Sequence, residues 1–146
     1  MRVPFALALI LASFAGTEAR AQVYPAGSFS VDGYPVVCYN VTFVVDPSLP
    51  DVGMSRPGYI FLNPHYFVGL PTSLKLFWVG HECGHHVVGL NETAADCWAV
   101  RTGRDQGWFS PDAFYGLMEM FRNNPGDIVH PPGPARVAAM IQCYQQ

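Results

Sequence analysis

The stretch His81-Glu82-Cys83-Gly84-His85 constrains this chain more than any other. Side chains four positions apart stack on one face of an α-helix, so the two imidazoles reach a common point only if the stretch is helical. Its surroundings support that reading. Leu74, Phe77, Trp78, His81 and His85 recur at helical spacing, Thr72 can cap the start, and Gly89 can stop the helix after about Val88. With 5 His in 146 residues, a His-Glu-x-x-His pattern is expected by chance on the order of 0.005 times.

Two imidazoles on one face can hold a single metal ion, and the glutamate beside the first can approach water at that ion. A catalytic zinc site needs three protein ligands and one open position. After His85 the available donors are His86, Asn91, Glu92 and Asp96. His86 lies about 100° round the helix from His85 and reads as a surface or packing histidine. Glu92, at the start of a following helix, can supply a carboxylate. Asp96, one turn later, can accept a hydrogen bond from the free nitrogen of a ligating histidine, and it is the alternative third ligand if Glu92 does not reach.

The rest of the chain is read around this helix. Val36 to Val45 is β-branched and aromatic and predicts one or two strands ending at Asp46-Pro47. Pro47 to Pro57 reads as loop, and Tyr59 to Leu62 as a second short strand, either core or an edge beside a cleft. Asn91 caps a helix over Glu92 to Thr102, stopped by Gly103. Ser110-Pro111-Asp112 starts a third helix that ends before Pro125, and Pro134 opens a fourth. A short N-terminal sheet followed by about four helices is an α+β plan.

Half of the residues are hydrophobic and only 13% are charged, partly because of the N-terminus. Arg2, the apolar run Val3 to Ala15 and Ala19-Arg20-Ala21 have the form of a signal peptide cleaved after Ala21, and the run is too short to span a bilayer. Removing 21 of 146 residues leaves 125, residues 22–146, enough for a single domain. That segment keeps 6 basic and 10 acidic residues, a net charge of −4, with no basic stripe for nucleic acid and no transmembrane anchor. The expected location is secreted or periplasmic, and the expected state a monomer.

All four cysteines, Cys38, Cys83, Cys97 and Cys143, lie in the exported portion, where disulfides form. The favoured pairing is Cys83 with Cys97, closing a short loop between neighbouring helices, and Cys38 with Cys143, tying the ends. Asn40 and Asn91 begin glycosylation tripeptides; Asn91 is expected to be unmodified.

The pattern His81-Glu82-x-x-His85 followed by Asn91-Glu92-x-x-x-Asp96 resembles the gluzincin metalloproteases, although only six residues separate His85 from Glu92. Glu92-x-x-Ala95-Asp96-Cys97-Trp98-Ala99 is similar to a segment of bacterial neutral zinc metallopeptidases. The stretch His130-Pro131-Pro132-Gly133-Pro134-Ala135-Arg136-Val137 is similar to one preceding the last helix in the CaaX-protease and heat-shock-protease group, whose membrane helices this chain lacks. The resemblance implies a small zincin-like domain with Zn²⁺ on His81, His85 and Glu92, Glu82 as general base and Asp96 supporting a ligand. Peptides or proteins would be the substrate.

His130 then has two readings, a donor to the oxyanion of a tetrahedral intermediate or a loop histidine held by prolines. Arg136 either pairs with an active-site carboxylate or, the favoured reading, is exposed on the last helix. The competing functional class is a non-catalytic binding module that keeps the zincin fold.

Overall fold

The computed structural model describes residues 20–146. The expected signal segment, residues 1–21, lies outside the described residues apart from Arg20 and Ala21. Strands come first and helices after, as expected of an α+β chain: β1 (Gln22–Tyr24), β2 (Ser30–Val31), β3 (Tyr34–Pro35), β4 (Thr42–Val45), β5 (Gly53–Arg56) and β6 (Tyr59–Leu62), then α1 (Thr72–Val88), α2 (Glu92–Asp105), α3 (Pro111–Phe121) and α4 (Gly133–Gln145).

Four strands form one sheet in the order β1-β4-β6-β5. β4 and β6 run parallel, while β1 and β5 lie antiparallel on the outside; β2 and β3 form a separate hairpin. Tyr59–Leu62 is therefore an inner strand, paired on both sides, and not an edge. The edge on that side is β5, inside the stretch read as loop. Gly-Met-Ser-Arg has little strand propensity, and it becomes a strand because the two-residue turn Pro57-Gly58, with Gly58 at φ +78°, folds it back on β6.

The run Val36 to Val45 is strand only from Thr42 onward. Tyr39 sits in the left-handed region at φ +44°, and the Val41 N–H donates to the Cys38 carbonyl, so this part turns despite its β-branched residues.

Helix α1 lies at the centre. Its Leu76, Val79 and Cys83 pack with Phe29, Phe43, Ile60 and Leu62 of the sheet layer. Its Leu74 and Phe77 join Val100, Phe109, Leu117, Phe121 and Met140 in a core between helices. His81 and His85 continue the second of these faces one and two turns beyond Phe77, whose ring centroid is 6.3 Å from that of His81. Thr72 is not the cap expected: Pro71 occupies the cap position, and the Thr72 hydroxyl instead donates to Asp32 at 2.7 Å. At the other end Gly89 stops the helix at φ +73°, as expected.

Helices α1 and α2 approach closely because small residues face each other. A Cβ built on Gly84 would meet the Ala95 Cα and carbonyl oxygen at 3.0 Å, and one on Gly80 would meet the Ala99 Cβ at 3.3 Å. This contact brings the first turn of α2 beside His81 and His85. Gly103 does not end α2 but lies within it, and glycine is there for space: a Cβ would strike the Trp108 and Phe109 side chains at 2.7 to 2.8 Å.

The disulfides are Cys38–Cys83 and Cys97–Cys143, with Cα separations of 5.8 and 5.3 Å, which corrects the expected pairing. The reason is helical geometry. With Ala95 and Ala99 turned toward α1, Cys97 projects from the other side of α2 toward α4, while Cys83 points into the sheet layer toward Cys38. No helix among the described residues is long and apolar enough to cross a membrane.

Candidate metal centre

His81 and His85 leave α1 one turn apart, and Glu92 enters from the first turn of α2. Asn91 starts that helix by accepting the Ala94 N–H at 2.9 Å, as its sequence predicts. One donor atom each from His81, His85 and Glu92 lie within 4.8 Å of one another, so this group can hold a metal ion. Asp96 is not a member. It is fully buried, behind His81.

The hydrogen bonds define the direction in which each imidazole presents its free nitrogen. His81 Nδ1 lies 2.8 Å from Asp96 Oδ1, and His85 Nδ1 lies 2.8 Å from the Gly89 carbonyl, which can only accept. In its neutral form each ring would therefore carry the proton on Nδ1 and aim an Nε2 lone pair inward. Those two Nε2 atoms are 3.1 Å apart. Glu92 adds Oε2 at 3.1 Å from His81 Nε2 and Oε1 at 3.5 Å from His85 Nε2. Glu92 Oε2 is buried, yet no directed hydrogen bond satisfies it. In those forms the lone pairs and the carboxylate converge without a donor and repel one another, and a cation between them, a proton or a metal ion, removes the repulsion. The donor set thus fits a metal ion.

His130 completes a third instance of the same arrangement. Its Nδ1 lies 2.9 Å from Asp127 Oδ2, and its Nε2 is 3.5 Å from Glu92 Oε2. Asp127 also accepts the His130 backbone N–H at 2.8 Å. These contacts, together with the backbone N–H of Val129, hold its carboxyl down at about 2. The loop delivering His130 is closed by Gly126 at φ +74°, whose Cβ would lie 2.7 Å from the His130 carbonyl. Asp127 escaped the sequence reading, although an aspartate directly after Pro125-Gly126 is a known turn signal.

Behind the site lies a buried ion pair. Arg136 Nε and Nη2 each donate to Asp96 at 2.7 Å, and the guanidinium sits 4.5 Å from the centroid of the Phe121 ring. Arg136 is only 3% exposed, so its expected place on the surface of the last helix is corrected. The apolar positions of α4 hid this, because an arginine stem packs like a hydrophobe when its head is paired.

Burial would push Asp96 up, but hydrogen bonds from Arg136 and His81 outweigh it and hold the carboxyl below its ordinary range. Burial likewise pushes the His81 imidazolium down, and the flanking Asp96 and Glu92 carboxylates win, raising it to about 9. Glu92 is lowered for the same reason: desolvation opposes its charge, and His81 at 3.1 Å favours it more.

Glu82 is the exception. Desolvation dominates and lifts its carboxyl to about 7, with His81 and Glu92 acting on it in opposite senses. It lies against the first residue of β5, where a Cβ on Gly53 would be 2.8 Å from its Oε1.

His86 and His65 stay apart from the centre. His86 Nε2 is 3.3 Å from the Tyr59 carbonyl, and the backbone N–H of His65 donates to Asn63 in a short turn. Comparisons with family models, curated proteins and solved structures returned no match to this chain.

Proposed function

We propose that this chain is a zinc-dependent metallopeptidase of the gluzincin type. The observation that carries the reading is the convergence of His81 Nε2, His85 Nε2 and the Glu92 carboxylate, with a buried, unpaired Glu82 one residue from the first ligand. Two imidazoles and one carboxylate form the ligand set of hydrolytic zinc sites, with a coordination position left open. A zinc ion on His81, His85 and Glu92 supplies Lewis acidity that polarises a carbonyl and acidifies water.

The protein's own groups carry the proton. Glu82, with its carboxyl near 7, takes a proton from the attacking water as the new C–O bond forms, and delivers it to the amine nitrogen as the C–N bond breaks. His130, turned inward by Asp127, donates from Nε2 in its protonated form to the developing oxyanion. Asp96 and Arg136 fix the tautomer of His81.

The outer edge of β5 is unpaired and begins at Glu82, which suits an extended peptide adding as a further strand. The substrate class is accordingly a peptide or protein segment in extended form, bound by a monomer. Two disulfides in 146 residues fit an oxidising compartment, and we place the protein in the periplasm or outside the cell. A binding module with a purely structural metal would have no use for a buried carboxyl beside it and would close the site with a fourth ligand.

A peptide-library digest tests the activity. Cleavage that is abolished by a chelator, restored by zinc and lost in Glu82→Gln with zinc still bound supports the peptidase; absence of cleavage in every peptide refutes it.

A further inference from the structure

We propose that Gly53 is a positioning residue for Glu82: the space where its side chain would be is occupied by the glutamate, which the edge strand β5 holds beside the His81, His85 and Glu92 cluster. The inference rests on the reading of Glu82 as general base. It adds a second strand-level requirement, absent from the ligand pattern.

The backbone does not demand glycine here. Gly53 is not among the glycines with positive φ, and it pairs in ordinary antiparallel register with Leu62. Space demands it. A Cβ on Gly53 would lie 2.8 Å from both Cγ and Oε1 of Glu82 and 3.0 Å from Cδ. One of the two must yield, and the strand is the more firmly held. The Val52 carbonyl, one residue earlier, accepts the Asn63 N–H at 3.0 Å, and the buried Asn63 side chain donates to the Leu49 carbonyl at 2.7 Å. The glutamate, although buried, can turn about its own side-chain torsions and moves instead.

This separates Gly53 from a packing residue. Gly53 opens β5 with a φ that alanine can adopt, and the roughly 0.5–1 kcal/mol by which alanine is favoured over glycine through chain entropy offsets the cost of displacing the carboxylate. Because β5 is also the free edge of the sheet, the strand that receives an extended peptide is the strand that places the base, and the distance from peptide to base is built into one element.

The test is Gly53→Ala in the full-length, oxidised, zinc-loaded protein. We expect one zinc per chain and an unchanged melting temperature, KM for a cleaved peptide within about threefold, and kcat lowered at least about tenfold, since general-base catalysis is worth roughly 10²–10⁴. A crystal structure of the variant should show the Glu82 carboxylate moved while His81, His85 and Glu92 stay. A kcat within twofold of wild type, an unmoved carboxylate, or a melting temperature lowered by misfolding overturns the inference. If the wild type itself cleaves nothing, the peptidase reading fails separately, and the crystal structure alone still decides whether Gly53 sets the position of Glu82.

Discussion

Arg136 holds Asp96 by two 2.7 Å hydrogen bonds from 40 positions further along the chain, and the same carboxylate receives His81 Nδ1 at 2.8 Å. Helix α4 is thereby connected to the His81, His85 and Glu92 cluster through one fully buried acid. Arg136→Met leaves that acid without its cation, and breaking a buried pair in this way costs about 3–5 kcal/mol. We expect a loss of that size in urea unfolding. Metal affinity should fall roughly 10–100-fold, the usual effect of removing support from a ligating histidine. Arg136→Lys should recover part of the stability but not the two-pronged geometry.

The two disulfides fasten the same helices, tying α1 to the segment before β4 and α2 to α4, with Cys83 directly after Glu82 and Cys97 directly after Asp96. Their sequence separations are 45 and 46 residues, and closing loops of that length stabilises by about 4 kcal/mol in the chain-entropy account. Peptide mapping without reduction should recover Cys38 linked to Cys83 and Cys97 linked to Cys143. Replacing Cys97 and Cys143 by serine should lower the unfolding midpoint substantially. Recovery of a Cys83–Cys97 peptide would contradict the fold.

Acid sensitivity should have a contribution far from the metal. Asp32 is lowered below its ordinary 3.8 first by the hydrogen bond from Lys75 and next by that from Thr72, which together hold the β2–β3 hairpin on the start of α1. A lowered carboxyl stabilises the fold above the unfolded value and loses that contribution as pH falls through the folded one. The stability difference between wild type and Asp32→Asn should thus be constant near neutral pH, begin to shrink as pH falls past the ordinary 3.8, and vanish only below the lowered folded value. Asparagine also tolerates the left-handed backbone at this position, φ +48°. Chemical denaturation at several pH values measures it.

Local signals in the sequence carried the helices and the convergence of His81, His85 and Glu92. Gly89, Asn91 and the Ser110-Pro111 start are stop and cap residues whose effect is confined to one turn, so they can be read without the rest of the fold. The spacing of His81, His85 and Glu92 is likewise local once Gly89 reverses the chain. What escaped depends on contacts between distant segments. Strand β5 exists because β6 pairs with it, and Arg136 is buried because Asp96 lies below it. The cysteines pair as they do because Gly84 and Ala95 fix which faces of α1 and α2 meet. That last contact did have a signal, small residues four apart on both helices, Gly80 with Gly84 and Ala95 with Ala99.

The centre is tested most directly by elemental analysis of the purified, oxidised protein. One equivalent of zinc per chain, falling to well below half in His81→Ala and in Glu92→Ala while both variants keep their two disulfides, is the predicted result. A wild-type protein that holds no stoichiometric metal after equilibration with zinc, or variants that bind it equally well, would contradict the assignment of His81, His85 and Glu92 as a metal centre.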